Sequence, residues 1–118
     1  MMGSDRPLEV QVKRQPAGAV VSLRGSASAE SAEQLRAALD GLAEQGCRQV
    51  VLDLTELEFI GSAGLGAIVA GHLRLRCRGG VLKLVGPSQP VRRMLELTRL
   101  TKLFGVYGSV AEAISAEE

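Results

Sequence analysis

One short apolar run near the middle of the chain, Gln49-Val50-Val51-Leu52-Asp53-Leu54, constrains the fold more than any other feature. Its apolar residues scarcely alternate with polar ones, which predicts a strand that is covered on both faces. Strands of this kind lie at the centre of sheets that pack between helices. The run therefore indicates an α/β protein.

Strand and helix patterns alternate along the rest of the chain, in the order β-β-α-β-α-β-α-β-α. Alternation of this kind predicts a largely parallel sheet with helical crossovers. The turn Gln15-Pro16-Ala17-Gly18 separates the first two strands, so an antiparallel hairpin is expected to make the sheet mixed. Further strands are predicted at 8–13, 19–24, 81–85 and 106–107.

The helices are predicted from apolar residues at helical spacing and from their end signals. The first begins at Ser28 or at the capping-box pattern Ser31-Ala32-Glu33-Gln34, and Gly46 ends it. The second covers Ala63 to Arg78, with Ser62 at or near its N-cap. Ser88 and Ser109 are expected to cap the last two helices. The predicted inner faces are Leu35, Ala38, Leu39 and Leu42; Leu65, Ile68, Val69, His72 and Leu73; Val91, Met94, Leu95 and Thr98; and Val110, Ala113 and Ile114.

The composition fits one domain, because 118 residues leave no room for two. We expect a single domain over 8–116, preceded by an expression-vector remnant or a frayed end at 1–7. With only two Phe and one Tyr, the core has to be aliphatic. Two distant cysteines, no signal peptide and no apolar run of membrane-spanning length predict a cytoplasmic protein with reduced thiols.

Charge is distributed unevenly, although the net charge is only +1. The second half of the chain is mildly basic, but so small a net charge is not expected to attract nucleic acid or an acidic membrane surface. Direct membrane insertion is not expected either, because no apolar run is long enough. Two interpretations of the basic residues stay open, a solvated helix face and a surface for an anionic partner. The residues concerned are Arg74, Arg76, Arg78, Arg92 and Arg93.

Patterns that support catalysis are absent from the sequence, so no enzyme activity and no cofactor or metal is predicted. His72 is the only histidine, and it would lie roughly 15 Å along a helix from Ser62, out of reach for a nucleophile–base pair. Neither a nucleophile elbow nor a phosphate-binding glycine loop is present. The acidic residues Asp53, Glu56 and Glu58 fit solvated strand-end carboxylates or, as an alternative, a metal pair.

The junction from Asp53 to Gly66 is the candidate functional region. It leads from the buried strand into a glycine-rich helix start, and sites in open α/β sheets lie beyond the carboxyl ends of strands. Ser62 is interpreted as a capping residue or as a phosphorylation site, because a phosphoryl group would lie against the positive helix N-terminus. The added charge would change which partner binds.

The helix that follows carries small residues on one face. Two explanations stay open, a docking surface and close packing within the fold. Glycine inside a helix costs about 0.5–1 kcal/mol relative to Ala, so Gly66 and Gly71 need an offsetting benefit. The face consists of Ala63, Gly66, Ala67, Ala70 and Gly71, followed by Arg74 and Arg78.

At this junction the chain resembles a known family. The run Leu57-Glu58-Phe59-Ile60-Gly61-Ser62-Ala63-Gly64-Leu65-Gly66 is similar to the signature of STAS-domain anti-sigma-factor antagonists. The likeness continues in 50–54, 79–84, 87–98 and 100–104 and covers about residues 8–116. It implies a STAS-like mixed sheet, an antiparallel hairpin followed by parallel βα units, with about four helices.

The resemblance implies a bacterial signalling protein that regulates transcription by binding an anti-sigma factor of the serine-kinase type. In that family the kinase phosphorylates a Ser or Thr of the signature and binding is lost. Gly61 replaces the usual Asp and Ala63 a frequent second hydroxyl, which leaves Ser62 as the acceptor. Alternatives are a constitutive binder and a STAS subunit of a lipid-transport ABC machine or stressosome-like scaffold. The residues expected to touch a partner are Ser28, Gly61, Ser62, Ala63, Gly64, Gly66, Ala67, Ala70 and Arg74.

Overall fold

The protein is built around a five-stranded sheet. The structure is a computed structural model, and it describes residues 6–16 and 18–116. The strands lie in chain order, β1-β2-β3-β4-β5. The first pair is antiparallel and the other three pairs are parallel, so the predicted mixed sheet is confirmed. Residues 1–5 and Ala17 of the predicted turn lie outside the described residues. The strands are β1 (Glu9–Gln15), β2 (Gly18–Ala27), β3 (Gln49–Ile60), β4 (Val81–Val85) and β5 (Gly105–Tyr107).

Four α-helices are present in the described part of the chain, and they cover the two faces of the sheet unequally. The first three share one large apolar cluster with β2, β3 and β4, whereas the fourth packs on the other face through a small cluster around Ala113. The central strand β3 is therefore buried on both faces at Val50, Val51 and Leu52, as its sequence predicts. The helices are α1 (Ala32–Glu44), α2 (Ser62–Cys77), α3 (Gln89–Leu97) and α4 (Val110–Ser115), and a 3-10 turn covers Leu100–Lys102.

β3 is longer than its sequence predicts, because it continues past Leu54 to Ile60. Its pairing with β2 contains two irregularities, at Ser22/Arg24 and at Gly25/Ser26, each of which places an extra residue in β3. Bulges of this kind bend a strand and interrupt the alternation of its side chains. The stretch expected to be a loop is therefore a bulged strand end.

β2 likewise runs beyond its predicted end at Gly25 and stops at Ala27. Gly25 adopts φ +95°, which favours glycine, and a Cβ there would lie 2.3 Å from the carbonyl oxygen of Pro7. The glycine therefore permits the close approach of the N-terminal segment and does not end the strand.

The predicted caps are only partly correct. Ser109 caps α4, since its hydroxyl accepts a hydrogen bond from Glu112 N at 3.1 Å. Ser31, and not Ser28, occupies the N-cap of α1, but its side chain makes no capping bond. Ser88 lies at the N-cap of α3 and donates instead to Leu57 O at 3.0 Å, which ties α3 to the bulged end of β3.

Three residues assigned to inner helix faces are exposed. Leu73 on α2 is 56% exposed and Ile114 on α4 is 41% exposed. Thr98 follows α3 and bonds Met94 O at 2.7 Å at the surface. The helices α2 and α4 therefore contact the sheet over a narrower stripe than the sequence pattern suggests.

A buried lysine lies under α4, which the sequence pattern does not predict. Lys83 projects from β4 and is 2% exposed. Its ammonium donates to Ala113 O at 2.8 Å and to Ala116 O at 2.7 Å, and it lies 5.6 Å from the Tyr107 ring centroid. A cation at the carbonyl end of a helix stabilises it, so Lys83 fixes α4 on the sheet.

Candidate functional site

Ser28 and the start of the Gly61–Gly64 segment, which are expected from sequence to touch a partner, lie side by side at the carboxyl edge of the sheet. β2 and β3 are parallel and end level with each other, with Ala27 opposite Ile60. Gly61 N donates to Ala27 O at 3.0 Å and closes the edge. Ser28 and Ser62, the residues that follow, are both exposed there.

The start of α2 differs from the prediction by one residue. Gly61 is the N-cap, in extended conformation at φ −97° and ψ −176°, and Ser62 is the first helical residue. The cap therefore has no side-chain hydrogen bond, and the capping explanation for Ser62 is wrong. The hydroxyl is exposed in the first turn, where the positive end of the helix dipole favours an anionic substituent.

The small residues of α2 divide between the two explanations left open by sequence. A Cβ on Gly64 would lie 2.8 Å from Ile60 Cγ1, and one on Gly71 would lie 2.6 Å from Leu39 Cδ1. Both glycines, together with the buried Ala67, therefore serve packing inside the fold. Gly66 is different, because a Cβ there would meet nothing within 4 Å.

The outward side of α2 and the neighbouring Phe59 at the end of β3 form an exposed strip, which we call the α2 surface: Phe59, Ser62, Ala63, Gly66 and Leu73. Phe59 is 46% exposed and lies against Gly61, and Leu73 is 56% exposed. Ala70 is half-buried beside the strip. Gly64 and Ala67, named as partner contacts from sequence, are removed from this surface by their burial.

Phe59 and Leu73 were missed by sequence reasoning. A signal for Leu73 was available, since it lies seven residues after Gly66 and so on the same side of the helix. Large exposed apolar side chains beside small residues favour a protein–protein contact.

Arg74 lies beside this strip but is engaged within the chain. Its Nε is 3.5 Å from Asp40 Oδ1 and its Nη2 is 3.6 Å from Glu44 Oε2. These contacts join the end of α2 to α1, so the structure accounts for Arg74 without a partner.

The three acidic residues near the end of β3 are each paired within the protein. Asp53 Oδ1 accepts from Thr55 N and Thr55 Oγ1, at 3.1 and 2.8 Å. Glu56 accepts from Arg24 Nε at 2.7 Å, and this hydrogen bond is the main reason why the pKa of Arg24 is raised. Glu58 lies 3.1 Å from Arg6. Among the described residues no group of three or more such ligands is placed to hold a metal ion.

His72 is a packing residue of α2. It is 7% exposed and its ring meets Phe104 edge-on, with centroids 4.9 Å apart. Since α2 is continuous from Ser62 to Cys77, Ser62 and His72 are separated by roughly 15 Å along the helix axis. The structure does not bring them together as a catalytic pair.

Within the described ranges no helix is long and apolar enough to cross a bilayer.

Fold and site together define a small α/β domain with an exposed helix face beside the carboxyl edge of its sheet. The profile of the STAS domain family matches residues 9–113. The chain therefore belongs to the STAS domain family, which confirms the resemblance drawn from sequence.

Among curated relatives, a putative anti-sigma factor antagonist of Bordetella bronchiseptica is 35% identical over 97 residues, which are 82% of this chain and 84% of the relative. An anti-sigma-B factor antagonist of Bacillus subtilis is 30% identical over 99 residues, which are 84% and 90% of the two chains. The crystal structure of an anti-sigma factor antagonist from Mycobacterium paratuberculosis is similar at a TM-score of 0.85 and 26% identity, and the match covers 97% of each chain.

Proposed function

We propose that this chain is an anti-sigma factor antagonist, which binds a serine-kinase-type anti-sigma factor through the α2 surface. The observation that carries the proposal is the exposed strip itself, in which Phe59 and Leu73 flank the small residues at the carboxyl edge of the sheet. Relatives of similar length that carry the name anti-sigma factor antagonist support it.

The shape of the surface suits a close contact between backbones. Ser62, Ala63 and Gly66 present no bulky side chain, so an approaching helix or loop can lie directly against α2. The two apolar side chains would then contribute the buried area that a specific interface needs. No charged residue belongs to the strip.

Binding to anti-sigma factors is tested with each kinase-type anti-sigma factor encoded in the source genome, by calorimetric titration. Leu73→Lys is expected to weaken the interaction by about tenfold or more, because it removes an apolar contact from the strip. Leu97→Lys is the matched control, since Leu97 is 72% exposed on α3. Equal loss in both variants, or no binding by the parent chain, contradicts the proposal.

Regulation by phosphorylation is proposed at Ser62. A phosphoryl group of about −1.5 to −2 charge fits the helix N-terminus, so the domain is expected to stay folded. The α2 surface would then carry a negative charge, which weakens binding to a partner that is complementary to the neutral surface. Incubation with the cognate kinase and ATP should add one phosphate at Ser62, located by mass spectrometry.

Charge mimicry gives an independent measurement. Ser62→Asp should weaken partner binding and leave the unfolding transition cooperative, whereas Ser115→Asp on α4 should leave affinity unchanged. If the kinase binds yet modifies no residue of the signature, the chain is a constitutive antagonist.

A further inference from the structure

The outer edge of β1 is the feature that the proposed function leaves unused. Among the described residues β1 pairs on one side only, with β2, and five of its seven residues are exposed, while Val10 and Gln15 are half-buried. The backbone N–H and C=O groups along the other side form a row that a further strand can pair with. Val12 is 45% exposed on this strand.

The side chains of β1 alternate between two environments. Leu8, which directly precedes β1, belongs to the main apolar cluster, and Val10 packs against it. The even-numbered residues therefore face the side of the sheet that carries α1. Glu9 and Gln11 line a cleft of about 500 Å³ on the opposite face with Ser22 and Asp53. Lys13 follows on that second face.

The sequence of β1 is complementary to itself when two copies run antiparallel. With the two-fold axis at Gln11, Glu9 lies opposite Lys13 of a second copy, and Val10 lies opposite Val12. Each pair occurs twice by symmetry, and opposite charges and β-branched residues are favourable when directly opposed. An even register also keeps the helical layers of both copies on the same side of the joined sheet.

Other registers lose this match. Moving the centre to Val12 places Val10 opposite Arg14 and leaves Glu9 opposite Gln15. Cations on an edge strand normally prevent pairing with other strands. Here Glu9 of the second copy neutralises Lys13, and it lies directly opposite Lys13 only in the register centred on Gln11.

We infer that β1 is a homodimerisation edge, at which two copies of this chain join through antiparallel β1 strands centred on Gln11 into one ten-stranded sheet. The joint is small, so the dimer is weak and forms at high protein concentration. The α2 surface lies at the carboxyl edge of β3, separate from β1, and both copies keep it accessible.

The oligomeric state of the full chain is measured by sedimentation equilibrium from micromolar to millimolar concentration. Lys13→Glu opposes two Glu residues at both symmetric positions and should raise the dissociation constant roughly tenfold. Glu9→Lys should do the same, and the double variant Glu9→Lys/Lys13→Glu should restore the parent value. Both side chains are exposed, so thermal unfolding is expected to stay unchanged and serves as the folding control.

The register is tested separately by oxidation in a Cys77→Ser background, since Cys77 is the exposed native thiol. Gln11→Cys should cross-link to itself, because directly opposed residues lie within disulfide reach. Gln15→Cys is the control, as its counterpart lies far along the joint. Three results overturn the proposal. The first is a chain that stays monomeric at every concentration, in which case the β1 edge would be free to pair with a strand of another protein. The second is a dimer whose dissociation constant does not change in Lys13→Glu, and the third is equal cross-linking of the two cysteine variants.

Discussion

At the scale of single residues, the glycines of α2 have opposite structural roles. Gly64→Ala places a Cβ 2.8 Å from Ile60 Cγ1 and 3.1 Å from Ala27 O, which β2 and β3 hold in place. We expect the free energy of unfolding to fall by about 1–3 kcal/mol, the usual cost of overpacking a core. Gly66→Ala meets open space and should raise the free energy of unfolding by about 0.5–1 kcal/mol.

Urea unfolding of the two variants beside the parent chain measures both changes. The two substitutions add the same methyl group two residues apart on one helix, so each controls for the other. Equal changes in the free energy of unfolding would mean that helix propensity alone decides both positions, and that Ala27 can move to make room for the methyl group.

The sequence predicted a face of small residues but not its division into packing and surface positions. Gly64 and Gly66 have the same chemistry, and what separates them is the contact of Gly64 with Ile60 and Ala27. Ala27 reaches α2 only through the pairing of β2 with β3. A residue's neighbours across a sheet cannot be read from its own helix. The exposure of Leu73 is a different case, because its position seven residues after Gly66 on the same side of α2 was a signal in the sequence itself.

At the scale of elements, α4 depends on Lys83. The helix has only six residues, and both acceptors of the lysine ammonium, Ala113 O and Ala116 O, lie at its carboxyl end. Lys83→Met keeps an unbranched side chain that is one atom shorter and removes two charge-assisted hydrogen bonds. Bonds of this kind contribute about 1.5–3 kcal/mol each, so α4 should detach from the sheet in a large fraction of molecules.

Fluorescence of the only tyrosine in the chain reports the detachment, since Tyr107 lies beside Lys83 and there is no tryptophan. Lys102→Met, at an exposed position, is the control and should leave the spectrum unchanged. If Lys83→Met also leaves it unchanged, the apolar contacts of Ala113 suffice to hold the helix.

The order of elements was predictable because each has its own period of apolar residues, and the helix and strand positions agree with the structure to within a few residues except at β3. There, two bulges convert the strand's period of two into the spacing of Leu57 and Ile60, which are three residues apart and both buried. A bulge depends on the partner strand, so the sequence of β3 alone resembles a loop.

At the scale of the whole molecule, the two faces of the sheet are unequal in stability. Counted over the described residues, the cluster under α1, α2 and α3 contains 24 buried residues and the cluster under α4 contains four. Buried apolar area sets most of the energy that keeps an element in place. Central β3 is paired on both sides and covered on both faces, while α4 is held by Ala113, Val110 and the lysine contacts.

We therefore expect α4 to open as a separate unit, with its amides exchanging hydrogen by local opening while those of Val50 to Leu54 exchange only on global unfolding. Hydrogen exchange at increasing urea distinguishes the two cases, since local opening is insensitive to urea and global unfolding is not. Lys83→Met should accelerate exchange in α4 alone. A uniform acceleration in α4 and β3 would instead show that the small cluster and the large one unfold together, and that the second face of the sheet is as much a part of the cooperative core as the first.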